Sequence, residues 1–282
     1  MAPDITGPSV GLARVGLFIP VRNGESYLED CIASMLRQTF RDWHLSILDN
    51  RSTDGTRRIA EKYTSDPRIS YMCNEVDLGA VGNFNLCLEL VETEFYAILS
   101  HDDIFRLPDA IELALEAMQR HPEVGVVYSD VEWVDAAGLR IAELRMPFHG
   151  QVSGRELSLY CLKKARNYFG VPVLLRRGHV KDLRYDPAFP LTSDIDFSIS
   201  CSALTSSYSL PCPAVAIRFH SGNSTMRAYK NAGAEYAALS VKHQIPLGRI
   251  DRMRSQLNNA VNTCKKWAFF FYLDHLRRRH LS

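Results

Sequence analysis

The sequence predicts an α/β fold with a mostly parallel central sheet and flanking helices. Three observations predict it. Short apolar runs at 15–20 (VGLFIP), 43–48, 69–73, 95–99 and 124–129 have the length and composition of buried strands. Segments of helical spacing at 27–38, 56–63 and 109–120 alternate with them, which is the order of βαβ units. Polar turns at 20–25, 49–55 and 100–103 follow three of the runs. In such sheets ligands bind outside the carboxyl ends of the strands.

The elements follow in order. Residues 1–14 are a loose leader. Strand 15–20 is stopped by Pro20, and Val21-Arg22-Asn23-Gly24 is a turn by composition. Helix 27–38 carries Leu28, Ile32, Met35 and Leu36 on one face. Strand 43–48 leads into the polar turn Asp49-Asn50-Arg51-Ser52-Thr53-Asp54-Gly55, then helix 56–63 and strand 69–73. A glycine-containing loop at 77–83 precedes a helix to about Val91. Strand 95–99, helix 109–120 and strand 124–129 complete this half. Beyond it the alternation loosens. A hairpin turning at Gly138, a helix at 153–164, a short strand at 171–176, a helix within 191–204 and a last strand at 215–219 are expected. From about Ala228 the pattern is helical to the end.

Bulk properties narrow the function. The chain has 282 residues, 46% hydrophobic and 23% charged, enough for one large domain with an extension. A net charge of +1 gives no electrostatic case for nucleic acid. Seven scattered cysteines, none in CxxC spacing, suggest neither a disulfide framework nor a zinc site. A reducing, cytoplasmic setting is expected. No apolar run approaches the ~18 residues of a spanning helix.

The most informative residues are Asp102 and Asp103, two carboxylates leaving the apolar run 95–99. Such a pair is poorly placed for packing but suited to a divalent cation, and a cation is a ready clamp for a diphosphate. Acidic residues also cap helices, and Pro108-Asp109 opens one just after.

Taken together, IPVRNGE, CIASMLRQTFRDWHLSILDNRSTDGT, GAVGNFN, ILSHDD, SDIDF and IRFHSGNS, in this order over residues 15–225, resemble a family 2 glycosyltransferase of the GT-A fold. The resemblance implies a Rossmann-like catalytic domain at 15–227, with a nucleotide-binding half to about 130, an acceptor-binding half at 131–227 and a helical C-terminal extension at 228–282. It implies inverting transfer of a sugar from a nucleoside-diphosphate sugar to an acceptor hydroxyl, with Mn²⁺ or Mg²⁺ as cofactor. A UDP-sugar donor and a glycan or lipid-linked acceptor are the partners it implies.

By the same resemblance, Pro20, Asn23 and Glu25 form the first nucleotide loop, and Asp49 and Asn50 contact the base. Gly79 and Asn85 belong to the motif after the third strand. Asp102 reaches the ribose or a metal-bound water, and Asp103 the metal. Asp194 is the general base, with Asp196 as the alternative. His220 can join the metal or phosphates, as a late histidine does in related folds; a structural role fits it equally. Arg218 could pair with phosphate or sit in an exposed salt bridge. Ser100 replaces the usual first acid of the DXD-type motif, and Phe84 stands where relatives carry arginine. These departures leave room for a non-catalytic nucleotide-sugar-binding or scaffold protein of the same fold. A nucleotidyltransferase is disfavoured, because VRNGESYLED is not a glycine-rich phosphate loop followed by lysine.

Aromatic residues from Trp267 to Tyr272 precede Arg277-Arg278-Arg279. Such a tail suits peripheral contact with the inner face of a membrane, or equally packing on the protein or on a second copy.

Overall fold

The computed structural model describes residues 5–6, 13–220 and 232–248. The first half contains β1 (Ile5–Thr6), β2 (Val15–Val21), α1 (Leu28–Leu36), β3 (Trp43–Asp49), α2 (Thr56–Tyr63), β4 (Ile69–Cys73), α3 (Gly79–Glu89), β5 (Phe95–Ile98), β6 (Ile104–Phe105) and α4 (Ala110–Arg120). The second contains β7 (Val124–Val134), β8 (Arg140–Leu144), β9 (Gly150–Val152), α5 (Gly154–Lys164), β10 (Leu174–Arg176), α6 (Arg177–Val180), α7 (Ser193–Leu204), β11 (Ser206–Arg218) and α8 (Ala232–Lys242).

The strands form one eleven-stranded sheet in the order β1-β4-β3-β2-β5-β10-β7-β11-β6, with β8 on β7 and β9 on β11. Its β4-β3-β2-β5 portion is parallel. Beyond that the sheet is mixed: β10 enters antiparallel between β5 and β7, while β7 and β11 run parallel.

Alternation along the strands sends side chains to two cores. Val15, Leu17 and Ile19 of β2 pack with Leu28, Ile32 and Met35 of α1 and Ala114 and Met118 of α4 on one face. Phe18, Leu48 and Tyr96 pack on the other with Cys87, Leu157, Phe197 and Leu239 of α3, α5, α7 and α8. Each fully buried aliphatic side chain contributes roughly 1.5–3 kcal/mol, so this double layer fixes the strand ends on which the polar loops ride.

Several elements depart from expectation for physical reasons. The leader is not wholly loose: Ile5 and Thr6 pair with Met72 and Tyr71 at the sheet edge. Helix α3 starts at Gly79, inside the expected loop. Its first N–H groups are met by side chains, since Leu78 N–H donates to Asn50 Oδ1 (2.8 Å) and Gly79 N–H to Asp77 Oδ1 (2.9 Å). Strand β11 starts nine residues before the expected 215, at Ser206. Pro211 and Pro213 hide its first half in the sequence, and the ladder accommodates them through register shifts between Leu210 and Val215. The aromatic and basic tail at 267–280 lies outside the described residues. Among the described residues no helix is long and apolar enough to cross a membrane.

Candidate active site

The polar loops after β2, β3, β4 and β5 lie side by side, because these strands are neighbours in the parallel part of the sheet. After β2, Asn23 adopts a left-handed conformation (φ 52°). Its N–H donates to Ser52 Oγ (2.8 Å), and its side-chain oxygen accepts from Thr53 N–H (2.9 Å). Glu25 N–H donates to Asp54 Oδ2 (3.0 Å), while the exposed Glu25 carboxylate accepts from Arg58 (3.2 Å). Pro20 is buried in β2 opposite Leu48. The first two loops are thus one hydrogen-bonded unit.

Asp49 ends β3 fully buried. Its carboxylate accepts from the Tyr71 hydroxyl (2.7 Å) and Ser52 N–H (2.8 Å). Asn50 is bonded on every side of its amide. Its amide donates to Asp77 Oδ1 (2.7 Å) and Gly79 O (3.3 Å) and accepts from Asn74 Nδ2 (3.1 Å) and Leu78 N–H. That is the whole capacity of a carboxamide, and the residue is only 2% exposed. Asn50 therefore builds the floor of the site through its side-chain bonds. Asn74 continues the network to Asn83, whose amide donates to Leu48 O (3.0 Å). No local spacing signalled this Asn50–Asn74–Asn83 chain.

Gly79 (φ 68°) and Asn85 line an open cleft between α3 and Pro187 and Pro190. Asn85 also accepts from Tyr185 N–H (2.8 Å) and donates to Tyr185 O (3.0 Å), so it ties α3 to the segment leading to α7. Phe84 packs edge-on against Tyr185 at 5.2 Å.

After β5, the Ser100–Asp103 turn closes through Asp103 N–H to Ser100 O (3.0 Å). Asp103 is 7% exposed and accepts from Arg218 N–H (3.0 Å). Burial pushes its carboxyl well above the ordinary range, and repulsion from Asp102 adds to this. Burial would raise Asp102 too, but the His220 hydrogen bond and the nearby His101 hold it below its ordinary value. His220 Nε2 lies 3.0 Å from Asp102 Oδ2, and its ring packs on Tyr27 at 4.5 Å. His101 lies against Gly24, where any Cβ would meet its ring at 2.8 Å, so it walls the first loop.

Arg218 fits neither of its expected roles. It is 2% exposed and lies over the Tyr27 ring. Its guanidinium donates to Asp102 O (3.1 Å), Ala136 O (3.2 Å) and Asp30 Oδ2 (2.9 Å). It is a buried staple beneath the acidic pair. Only the apolar register of β11 hints at this, by turning residue 218 inward.

Among the described residues no group of three or more His, Cys, Asp or Glu side chains stands as a metal-binding cluster. Asp102 and Asp103, which repel each other after β5, are oxygen donors of the type a divalent cation takes, and such a cation would have to draw its other ligands from a diphosphate. His220, which follows β11, is bonded to Asp102.

At the opposite wall, Asp194 is exposed in the first turn of α7. Its carboxylate accepts from Asn167 Nδ2 (2.7 Å) and Ile195 N–H (2.8 Å). Asp196 is excluded as the alternative base. It is 1% exposed and bound to Lys242 Nζ (2.8 Å) and His243 Nε2 (2.7 Å). A carboxylate this buried and held on both oxygens is out of reach of an acceptor hydroxyl, which leaves Asp194 as the accessible one of the two.

The chain matches the family description "Glycosyl transferase family 2" over residues 17–184. It is 31% identical over 121 residues to "UDP-Glc:alpha-D-GlcNAc-diphosphoundecaprenol beta-1,3-glucosyltransferase WfgD" of Escherichia coli, covering 43% of this chain and 47% of that one. Its fold resembles that of S. aureus TarS 1–349 in complex with UDP-GlcNAc (TM-score 0.65, 17% identity, 81% of this chain, 66% of that one). It also resembles the mannosyltransferase PcManGT of Pyrobaculum calidifontis in complex with GDP-Man and Mn²⁺ (TM-score 0.55, 14% identity, 97% and 84%). The chain spans less than two thirds of the length of the curated relatives it matches. With the family matched across more than half the chain and a GT-A-like sheet beneath the paired acids, this protein belongs to glycosyl transferase family 2.

Proposed function

We propose that the chain is an inverting, metal-dependent glycosyltransferase that moves a sugar from a nucleoside-diphosphate sugar, a UDP-sugar first, to an acceptor hydroxyl. The observation that supports this is that Asp102 and Asp103 follow β5, with His220 after β11 bonded to Asp102, at the same end of the parallel strands as the loops after β2 and β3. In this reading residues 15–130 bind the nucleotide, residues 131–227 the acceptor, and residues from 228 form an extension. Pro20, Asn23 and Glu25 shape the nucleotide loop, and Asp49 and Gly79 border it. Asp103 and Asp102, with His220, hold the cation. A bound Mn²⁺ or Mg²⁺ would neutralise charge building on the departing diphosphate. Asp194 removes the proton from the acceptor hydroxyl, whose oxygen attacks the anomeric carbon as the diphosphate leaves from the opposite face. Asp194 is exposed to solvent, and a carboxylate is a group of the type that accepts such a proton.

The relatives support the donor and acceptor classes. WfgD carries UDP-Glc and a lipid diphosphate in its name, and TarS binds UDP-GlcNAc. A glycan or lipid-linked acceptor is accordingly proposed here. A thermal-shift panel of nucleoside diphosphates and nucleotide sugars, with and without Mn²⁺, tests the reading. A Mn²⁺-dependent rise in Tm for one nucleotide is expected. No shift for any nucleotide would overturn it in favour of a non-catalytic scaffold.

A further inference from the structure

We propose that helix α8 positions the base Asp194, with Glu235, Lys242 and His243 as positioning residues; this rests on the reading of Asp194 given above. Helix α8 lies beyond the residues matched to the family, at Ala232–Lys242. It nevertheless grips the start of α7 at two heights. Glu235 Oε2 accepts from Leu191 N–H (3.1 Å), Thr192 N–H (3.0 Å) and Thr192 Oγ1 (2.8 Å). Thr192 is the residue preceding α7 and is 1% exposed. One turn on, Lys242 and His243 hold the buried Asp196. Lys242 also donates to Asp186 (2.8 Å), in the segment whose Tyr185 is tied to Asn85.

Asp194 stands between these two anchor points, at 192 and 196. Its carboxylate accepts from Asn167 Nδ2 and the Ile195 N–H. The backbone that carries it is the first turn of α7, and that turn is fixed by three bonds accepted by the Glu235 carboxylate and two contacts donated to the Asp196 carboxylate. Charge-assisted bonds to a buried group hold geometry better than neutral ones. A base displaced by about 1 Å can lose around 10²-fold in rate while the donor site, on other elements, is untouched.

The test uses the full chain, the donor identified by the thermal-shift panel and Mn²⁺, with nucleoside diphosphate released as the sugar passes to acceptor or water as readout. Glu235→Ala is expected to lower kcat about 10- to 100-fold with donor KM unchanged. Glu235→Gln, whose side-chain oxygen still accepts, is expected to restore most of kcat. Amide hydrogen exchange gives a second readout that needs no turnover. In Glu235→Ala and in Lys242→Met, exchange at 192–197 is expected to speed up while the loops at 49–55 and 100–103 keep parental protection. Unchanged exchange at 192–197 in both variants would overturn the proposal. So would parental kcat in Glu235→Ala when Asp194→Asn is inactive. Parental turnover by Asp194→Asn would instead overturn the base assignment itself, and the positioning role with it.

Discussion

The proposed donor and acceptor walls are built on different plans. The proposed donor wall is a set of loops at adjacent strand ends, saturated with hydrogen bonds among themselves. Asn50 uses its full side-chain bonding capacity, Asp49 is closed between Tyr71 and Ser52, and Arg218 staples the acidic turn from below. The proposed acceptor wall hangs one exposed carboxylate, Asp194, on a helix that, like the α8 residues holding it, lies beyond the family-matched residues. On these proposed roles, binding and chemistry are separable. Damage to the donor wall should appear as lost affinity and stability. Damage to the acceptor wall should appear as lost turnover.

The largest effect should come from the acidic pair. Asp103→Ala is expected to abolish Mn²⁺-dependent donor binding and to lower transfer by more than about 10²-fold, because charge stabilisation by a cation supplies several kcal/mol. Calorimetric titration with nucleotide and Mn²⁺ checks it. Retained metal-dependent affinity would break the comparison at its strongest point.

Next is Asn50→Ala. It removes the partner of Leu78 N–H and one acceptor of the Asn74 amide, while Asn74 keeps Asn83 and Asp77 keeps Gly79 N–H, and an unmatched polar group costs up to about 1–3 kcal/mol. A drop in Tm together with weaker donor binding is expected, since the floor of the site and the start of α3 share this node. Weaker binding with unchanged Tm would mean that Asn50 touches the nucleotide after all. Tyr71→Phe removes one donor to Asp49 and should cost about 0.5–1.5 kcal/mol in denaturant unfolding, with kcat little changed.

The smallest effect concerns pH on the acceptor side. The Lys242 hydrogen bond holds the Asp186 carboxyl below its ordinary 3.8. Burial works to lower the Lys242 amine, but its bonds to Asp186 and Asp196 raise it above 10.5. A depressed acid contributes stability that is present above 3.8 and lost as pH falls through its folded value. A raised amine contributes stability that is present below 10.5 and lost as pH rises through its folded value. Both contributions are complete at neutrality. Asp186 and Lys242 should therefore add no change in exchange protection at 192–197 between about pH 5 and 9. A step near neutrality would point to His243, which completes the clamp on Asp196.

Much of the donor wall was legible because strand, turn and helix follow one another locally. The helix at Thr56–Tyr63 and the strand at Ile69–Cys73 fall where apolar spacing places them. What the sequence hides is contact between distant residues. Asn50, Asn74 and Asn83 meet across 24 and 9 positions, and Asn85 meets Tyr185 across 100. Nothing in the spacing of Asp194 and Asp196 says that one is exposed and the other sealed under Lys242 and His243. Helical geometry decides this, since two residues apart point to different sides. The same blindness turned Arg218 from a surface cation into a buried staple.

The most direct test of the separation between the walls is one variant measured twice. For Asp194→Asn, donor affinity is read by calorimetry with Mn²⁺, and transfer by nucleoside diphosphate release. The account predicts parental affinity with transfer reduced by at least about 10²-fold, the loss expected when a general base is removed. Parental transfer, or loss of donor binding alongside transfer, would contradict it.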